Sequence, residues 1–434
     1  MAFGTGVPKT ICMSIELIIF ICMLATFALS IFLFKMPAGV SLMLAAVVGA
    51  LIGGHGIPVR HLVEGGFGFL EAILIISTAM IFMRVMQETG ALEGVSRSIL
   101  RLFYRKPTLL IIVITLFVMF PGMLTGLSST CILTTGALVA PILINIGMQR
   151  LAVGALIAMA AVFGEVAPPI SIPVMTIGGG VDMPYIGFGM PLLIVSLPTA
   201  LITALYFRYR YLPNYNIANV RQYLDTTEDK KYGLLIYLPI ILVILYMIGE
   251  IKFHEFVPHL GVPLIFIVGT ILGLFTRKGV RLIDVSRKAL RSAMPVMAIL
   301  VGVGMFLQIL ALTGVRGYLA VTALNLPEGI RYLAATLMPF MGSAYGSASI
   351  IGVPLVYVFI GKSTLIVTAV LVLMAALGDL MPPPALLCAY SSQIVGVKNH
   401  FSILKKCLIP MAISMAVGIL ILVFAQEIAN FIYK

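Results

Sequence analysis

The sequence predicts an all-α polytopic membrane protein made of two inverted-topology repeats, each about five transmembrane helices plus one re-entrant hairpin, with discontinuous helices at the bilayer midplane. Three observations carry this expectation. Apolar residues make up 61% of the 434 and charged residues only 10%, a balance outside that of soluble domains. Apolar runs of spanning length recur along the whole chain. Two of them carry the same interruption, "GEVAPPIS" from Gly164 and "GDLMPPPA" from Gly378.

A hydrocarbon core takes roughly 20 helical residues to cross. Spanning helices are therefore expected over 11–34, 37–54, 67–88, 187–207, 232–251, 261–275, 292–313 and 407–432. The first run is too long for the apolar part of a signal peptide and has no A-x-A-like site before the next span, so it is expected to be mature structure. The runs 151–178 and 364–395 are longer and contain Pro pairs, which predicts broken helices. The runs 108–146 and 331–360 are split by "PGMLTGLSST" and "PFMGSAYGSAS", leaving arms of about a dozen residues. Such arms predict re-entrant hairpins, whose non-helical tips must be covered by protein or line a cavity.

The features come in pairs. One constant shift lays Gly147 on Gly361, Gly164 on Gly378, Glu165 on Asp379, and Pro168 and Pro169 on Pro382 and Pro383. "QETGALEG" (87–94) answers "ALTGVRG" (311–317), and "GLSS" (126–129) answers "GSAS" (346–349). Residues 1–210 and 232–434 are read as two copies, joined by a polar cytoplasmic linker over 211–231. An odd number of crossings per copy turns the second copy over. The distribution of positive charge agrees: with 96–106 inside, 21 of the 28 Lys and Arg fall on the cytoplasmic face. Both termini then lie on the periplasmic side.

Paired breaks in inverted repeats are where secondary transporters bind substrate and coupling ions. A Pro pair removes two backbone donors and disfavours helix just before it, so Gly164–Pro169 and Gly378–Pro383 are expected to unwind. Freed carbonyls attract a cation, and the N–H groups opening the next half-helix attract an anionic group. The hairpin tips add hydroxyls: Thr125, Ser128, Ser129 and Thr130 in the first copy, Ser343, Ser347 and Ser349 in the second. Hydroxyl and carbonyl oxygens suit a hard ion such as Na⁺. Glu165 and Asp379 are the costliest residues by position, at about 2.5–3.5 kcal/mol each on insertion scales. They compete for three roles: cation ligand, proton carrier, or cap of a frayed half-helix. Asn145 and Gln308 are weaker candidates, and Arg84 with Glu88 reads as a snorkelling pair at a helix end.

A net charge of +12 does not point to nucleic acid, because the cations sit in short loops between apolar runs, where they orient the chain. The five Cys lie in apolar runs without metal-ligand spacing and read as small core residues. The five His lie in loops or at span ends and are assigned no site. No cofactor is expected besides a coupling ion, Na⁺ or H⁺.

The runs "AMIFMRVMQETGALEGVSRSIL" and "GLSSTCILTTGALVAPILINIGMQRLAVGALIAMAAVFGEVAPPISIP", with the later "LGDLMPP", resemble the large membrane subunit of tripartite ATP-independent periplasmic (TRAP) transporters, of the ion-transporter superfamily. The likeness spans nearly the whole chain. It implies an elevator mechanism, Na⁺-coupled uptake of organic acids such as dicarboxylates or sugar acids, a small four-span membrane subunit and a periplasmic substrate-binding protein, all at the bacterial inner membrane. Carried over by motif, the ion site would use Gly126, Ser128 and Ser129 with Gly164, Glu165 and the break to Pro168. Its counterpart would use Gly346, Ser347 and Ser349 with Gly378, Asp379 and the break to Pro382. Thr125, Thr130, Pro168, Pro169, Ser343, Pro382 and Pro383 would border the substrate. Many large subunits carry an uncharged residue where Glu165 stands, which leaves proton coupling or an unusual substrate open. No fused small subunit precedes Ile11, so that subunit is expected to be a separate chain.

Two other readings follow from the same residues. A stand-alone organic-anion symporter or Na⁺/H⁺ antiporter of the superfamily would share the architecture. An intramembrane aspartyl protease is suggested by "ALGDLMPPPALL", but Ala376 stands where its GxGD motif needs Gly, and the Pro-Ala-Leu triplet follows Asp379 on the same segment. The protein is therefore read as a transporter and not an enzyme.

Overall fold

The computed structural model describes residues 14–213, 215, 234–252, 258, 260–276, 279–324, 327–341, 343–382 and 385–433. All regular elements among them are helical. The first half contains α1 (Ile15–Phe32), α2 (Ala38–Ile52), α3 (Val59–Phe67), α4 (Leu70–Thr89), α5 (Ala91–Phe103) and α6 (Pro107–Thr125). It continues with α7 (Ser128–Cys131), a π turn (Ile132–Gly136), α8 (Ala137–Asn145), α9 (Arg150–Val166), α10 (Ile172–Gly180) and α11 (Gly189–Tyr211). The second half begins with α12 (Leu238–Lys252), α13 (Val262–Thr276), α14 (Leu282–Leu312), α15 (Val315–Leu324) and α16 (Glu328–Leu337). Then come α17 (Ala344–Ser347), a second π turn (Ala348–Gly352), α18 (Val353–Val358), α19 (Thr364–Leu377), α20 (Leu386–Val395), α21 (Phe401–Val423) and α22 (Ala425–Ile432). Among the described residues, seven helical segments are long and apolar enough to cross a bilayer. This is an all-α, multi-pass membrane protein.

The chain divides into two compact units, residues 1–69 with 298–325, and residues 70–297 with 326–434. In the first unit α1 packs on α2 and α15. Met23, Leu42, Ala45 and Ala46 are fully enclosed there, while Phe32, Leu33 and Phe34 stand exposed, as residues facing lipid do.

In the second unit α9 is the central element, packed by α6, α11, α19, α20 and α21. Every residue from Ala152 to Val166 is buried, and so is every residue of α19 from Ile366 to Leu377. A helix apolar all round sits either in a protein core or in the hydrocarbon of a membrane, and here burial by neighbouring helices decides for the core. The first arms of the two broken helices thus lie inside protein and not against lipid. At the side of this core α4 packs on α13, with the rings of Phe82 and Phe266 5.6 Å apart.

The order of elements from α6 to α10 recurs from α16 to α20: an arm, a four-residue helix, a π turn, a second arm and a broken helix. Several boundaries differ from expectation, for identifiable reasons. The first hairpin's arms are not a dozen residues long: α6 has 19, and residues 128–145 run as one 18-residue helical segment. Pro107 opens α6, where its missing N–H costs nothing, and Pro121 removes only one internal bond. The helix α14 begins ahead of the expected 292–313 because Val285 and Ala289 pack inward between Arg287, Lys288 and Arg291, whose charges hide the helix from a hydropathy reading. The run 407–432 breaks at Phe424, leaving α22 separate. The amphipathic α3 and α5, and the short α15, were not expected as helices; α5 and α15 each follow a glycine turn, at Gly90 and Gly314. The expected linker over 211–231 lies outside the described residues from 216 onward.

Candidate functional site

The breaks begin later than the Pro pairs suggested. Gly164 and Glu165 remain in the last turn of α9, closed by the Ala167 N–H donating to Phe163 O at 2.9 Å. In the second half Gly378 and Asp379 lie in a 3₁₀ turn that extends α19, and extended backbone starts at Met381. A Pro restricts the residue just before it, here Ala167 and Met381, and leaves residues further back free to stay helical. Both acids therefore sit at carbonyl-rich helix ends, where a negative charge is disfavoured.

Each hairpin tip lies on its own break. The Ile170 N–H donates to Met123 O across the first (3.1 Å), and the Ala344 N–H donates to Asp379 Oδ1 across the second (2.8 Å). Close approach at the first requires glycine: a Cβ on Gly164 would stand 2.6 Å from Met119 O, and one on Gly122 would stand 2.8 Å from the Gly164 carbonyl carbon. Gly126 ends α6 in the left-handed region at φ 68°, turning the chain into α7.

The tips also reach across to the opposite half. Ser128 Oγ, from the first tip, donates to Asp379 Oδ2 at 3.1 Å, so both Asp379 oxygens have donors. Tyr345, from the second tip, donates to Gly126 O at 3.3 Å. Glu165 is completely buried, and neither of its oxygens has a hydrogen-bond partner. Asp379, Tyr345 and Ser128 nonetheless lie close enough to act on its charge. The structure thus brings Gly126, Ser128, Glu165 and Asp379 into one cluster built from both halves.

Other sequence candidates are placed around it. Thr125 Oγ1 donates back to Pro121 O (2.8 Å) and accepts from the Leu127 N–H (3.3 Å), so it serves its own tip. Thr130 points at Met80 Sδ (3.2 Å), toward α4. Ser343 accepts from the Gly346 N–H (3.3 Å), while Ser347 donates to Ser343 O (2.7 Å) and Ser349 to Tyr345 O (2.8 Å). These hydroxyls satisfy their own hairpin; the Ser349 bond takes up a carbonyl next to the second π turn. Ser129, Pro168 and Pro169 are half-buried, Gly346 and Gly378 buried, and Pro382 exposed. Pro383 lies outside the described residues.

Sequence reasoning missed two tyrosines. Tyr345 is the lone aromatic in the tip "GSAYGSAS", which was a visible signal. Tyr185 lies within 17 residues of the first break and holds its unwound part, donating to Pro169 O (2.9 Å) and accepting from the Ser171 N–H (3.0 Å). Among the described residues no group of His, Cys, Asp and Glu has the makings of a metal centre.

Two buried broken helices, each ending at an acid and covered by a hairpin tip, define a multi-pass membrane protein with a polar cluster enclosed at its centre. Residues 5–202 match the family model described as tripartite ATP-independent periplasmic transporter, DctM component, as the sequence motifs indicated. That stretch of the chain is thus similar to the DctM component of these transporters. Among solved structures it is similar to the YdaH transporter of Alcanivorax borkumensis, with a TM-score of 0.61 and 15% identity over 84% of this chain and 86% of that one. That likeness is one of fold. Comparison with curated proteins found no match.

Proposed function

We propose that the chain couples the entry of a cation, Na⁺, to uptake of a small organic acid by an elevator mechanism, as the large membrane component of a TRAP transporter. One observation carries this reading: a fully buried, unpartnered Glu165 beside Asp379, in a cluster that both halves supply. Uncompensated buried charge is retained where it binds something. The breaks offer carbonyls to a cation and N–H groups to a carboxylate substrate. Both hairpins and both broken helices belong to one compact unit, which supports their moving as a body. The partners in this reading are a small four-span subunit and a periplasmic binding protein, and the membrane is the bacterial inner membrane with both termini periplasmic.

The test is uptake into proteoliposomes holding the chain with its small subunit, supplied with the binding protein and a panel of radiolabelled dicarboxylates and sugar acids. Accumulation is expected only under an inward Na⁺ gradient. Asp379→Asn is expected to lower it at least about tenfold, the equivalent of about 1.4 kcal/mol of lost cation binding. Accumulation by the chain alone would remove the partners from the reading, and accumulation indifferent to Na⁺ would remove the ion.

The inverted arrangement has its own test. Ser98 on α5 and Thr322 on α15 are both exposed. Cysteines placed there are expected to react with an impermeant maleimide from opposite faces of right-side-out vesicles, Thr322→Cys from outside and Ser98→Cys only after lysis. Labelling of both from one face would show that the copies are parallel.

A further inference from the structure

A cavity of about 320 Å³ lies where the last turn of α4 meets the start of α14, within the second compact unit. Its charged lining is Glu88 from α4, Arg281 immediately ahead of α14, and Asp284 and Lys288, about one turn apart on the same helical face. None of these residues belongs to a break or a hairpin. Among the described residues Arg281, Asp284 and Lys288 enter no ion pair, and Glu88 pairs with Arg84 at 3.6 Å.

The charge pattern of α14 sets the depth of this cavity. From Ser292 to Leu312 the helix has no charged residue, and that stretch alone reaches the roughly 20 residues that cross a hydrocarbon core. The turns ahead of it carry Asp284, Arg287, Lys288 and Arg291, so they emerge into the headgroup layer. Leu282 and Ile283, in the same first turn, stand exposed, an apolar edge of the kind that rests on acyl chains.

The lining presents both signs of charge. A simple anion placed here meets two carboxylates as well as two cations, and a simple cation meets the reverse, whereas a short group bearing both charges satisfies each sign. A phosphodiester that ends in an ammonium is such a group. We propose that this cavity holds a phosphoethanolamine headgroup, with Arg281 and Lys288 on the phosphate oxygens and Asp284 and Glu88 on the ammonium. An Arg fork matches phosphate geometry, and carboxylates accept from an ammonium. The volume is at the small end of ligand cavities, about 300–1,000 Å³, which suits a headgroup whose acyl chains remain outside. A membrane phospholipid and a free glycerophosphoethanolamine share this chemistry; the depth of the cavity favours the lipid. The inference needs only that the chain spans a membrane, so its failure leaves the transport reading untouched.

Native mass spectrometry on the purified, delipidated chain tests this, with dioleoylphosphatidylethanolamine, dioleoylphosphatidylglycerol and water-soluble glycerophosphoethanolamine each added over a concentration series. The ethanolamine lipid is expected to bind at least about tenfold more tightly than the glycerol lipid. Arg281→Ala combined with Lys288→Ala is expected to lose that tight adduct, and Asp284→Lys to turn the preference toward the glycerol lipid. All three side chains are exposed, so the fold is expected to survive. Arg287→Ala combined with Arg291→Ala, outside the cavity, controls for general surface charge and is expected to bind as the wild type does. Equal binding of the two lipids by the wild type, or equal loss in the control, overturns the proposal. Binding of the soluble ester as tight as that of the lipid keeps the headgroup chemistry and removes the membrane as its source.

Discussion

Asp379→Ala is expected to lower Na⁺-driven uptake at least about tenfold and also to weaken the fold, whereas Asp379→Asn lowers uptake as much and leaves the fold nearly intact. The difference lies in what each leaves behind. Asn keeps an amide oxygen for the Ala344 N–H and an amide nitrogen that the Ser128 oxygen can accept from, so the cover between second tip and break survives. Ala strands both donors, at about 1–3 kcal/mol for each buried group left unpaired. Loss of the negative charge beside Glu165 offsets part of this, so the net cost is expected at about 1–3 kcal/mol, below the simple sum. A thermal unfolding series on wild type, Asn and Ala variants in the same detergent checks it. Equal midpoints for Asn and Ala would show that the two hydrogen bonds contribute nothing to the cover.

Gly164→Val is expected to have the larger effect on folding. A side chain there meets the Met119 carbonyl oxygen at 2.6 Å, and the Met119 Cα and Cys131 Sγ at 2.9 Å. Two of these are backbone atoms of α6, which no change of rotamer can move. The helices α6 and α9 must separate, and with them the Ile170–Met123 bond that seats the first tip on its break. Overpacking of this kind costs about 1–3 kcal/mol or more, concentrated here at the enclosed centre of the unit. Size-exclusion profiles are expected to show little monodisperse protein, with Gly164→Ala intermediate. A Val variant with wild-type yield and midpoint would mean that the approach of α6 to α9 is not tight.

The elements legible from sequence were those announced by a local cost. An acid and a Pro pair in an apolar run, or a Gly/Ser cluster between apolar arms, is unfavourable in lipid wherever it falls. That is why the amino-acid order alone marks 151–178 and 364–395 as broken helices and 108–146 and 331–360 as hairpins. The amphipathic α3 and α5 were not announced, because charge on one face removes them from a hydropathy reading while leaving the helix intact. The π turns were silent as well, since no single residue type declares one. Unwinding starts only after Glu165 and after Asp379, because proline restricts the residue just before it and no further back, a shorter reach than the sequence expectation assumed.

The chemistry of the cluster was half legible for a related reason. Glu165, Asp379, Ser128 and Gly126 could be named individually from type and position. Their grouping was expected within each copy, tip upon break. The partnership of Ser128 with Asp379 spans 251 positions, and that of Tyr345 with Gly126 spans 219.

The amino-acid order by itself determined that the chain is helical, lies in a membrane, and places two acids beside two breaks, because transfer from water to hydrocarbon is paid residue by residue and leaves its mark at each position. Only the tertiary structure decided that the two acids meet, that one has donors and the other none, and which hydroxyls face them. Those facts depend on how α6, α9, α17 and α19 pack, and the direction of a side chain among packed helices is set by all of them jointly.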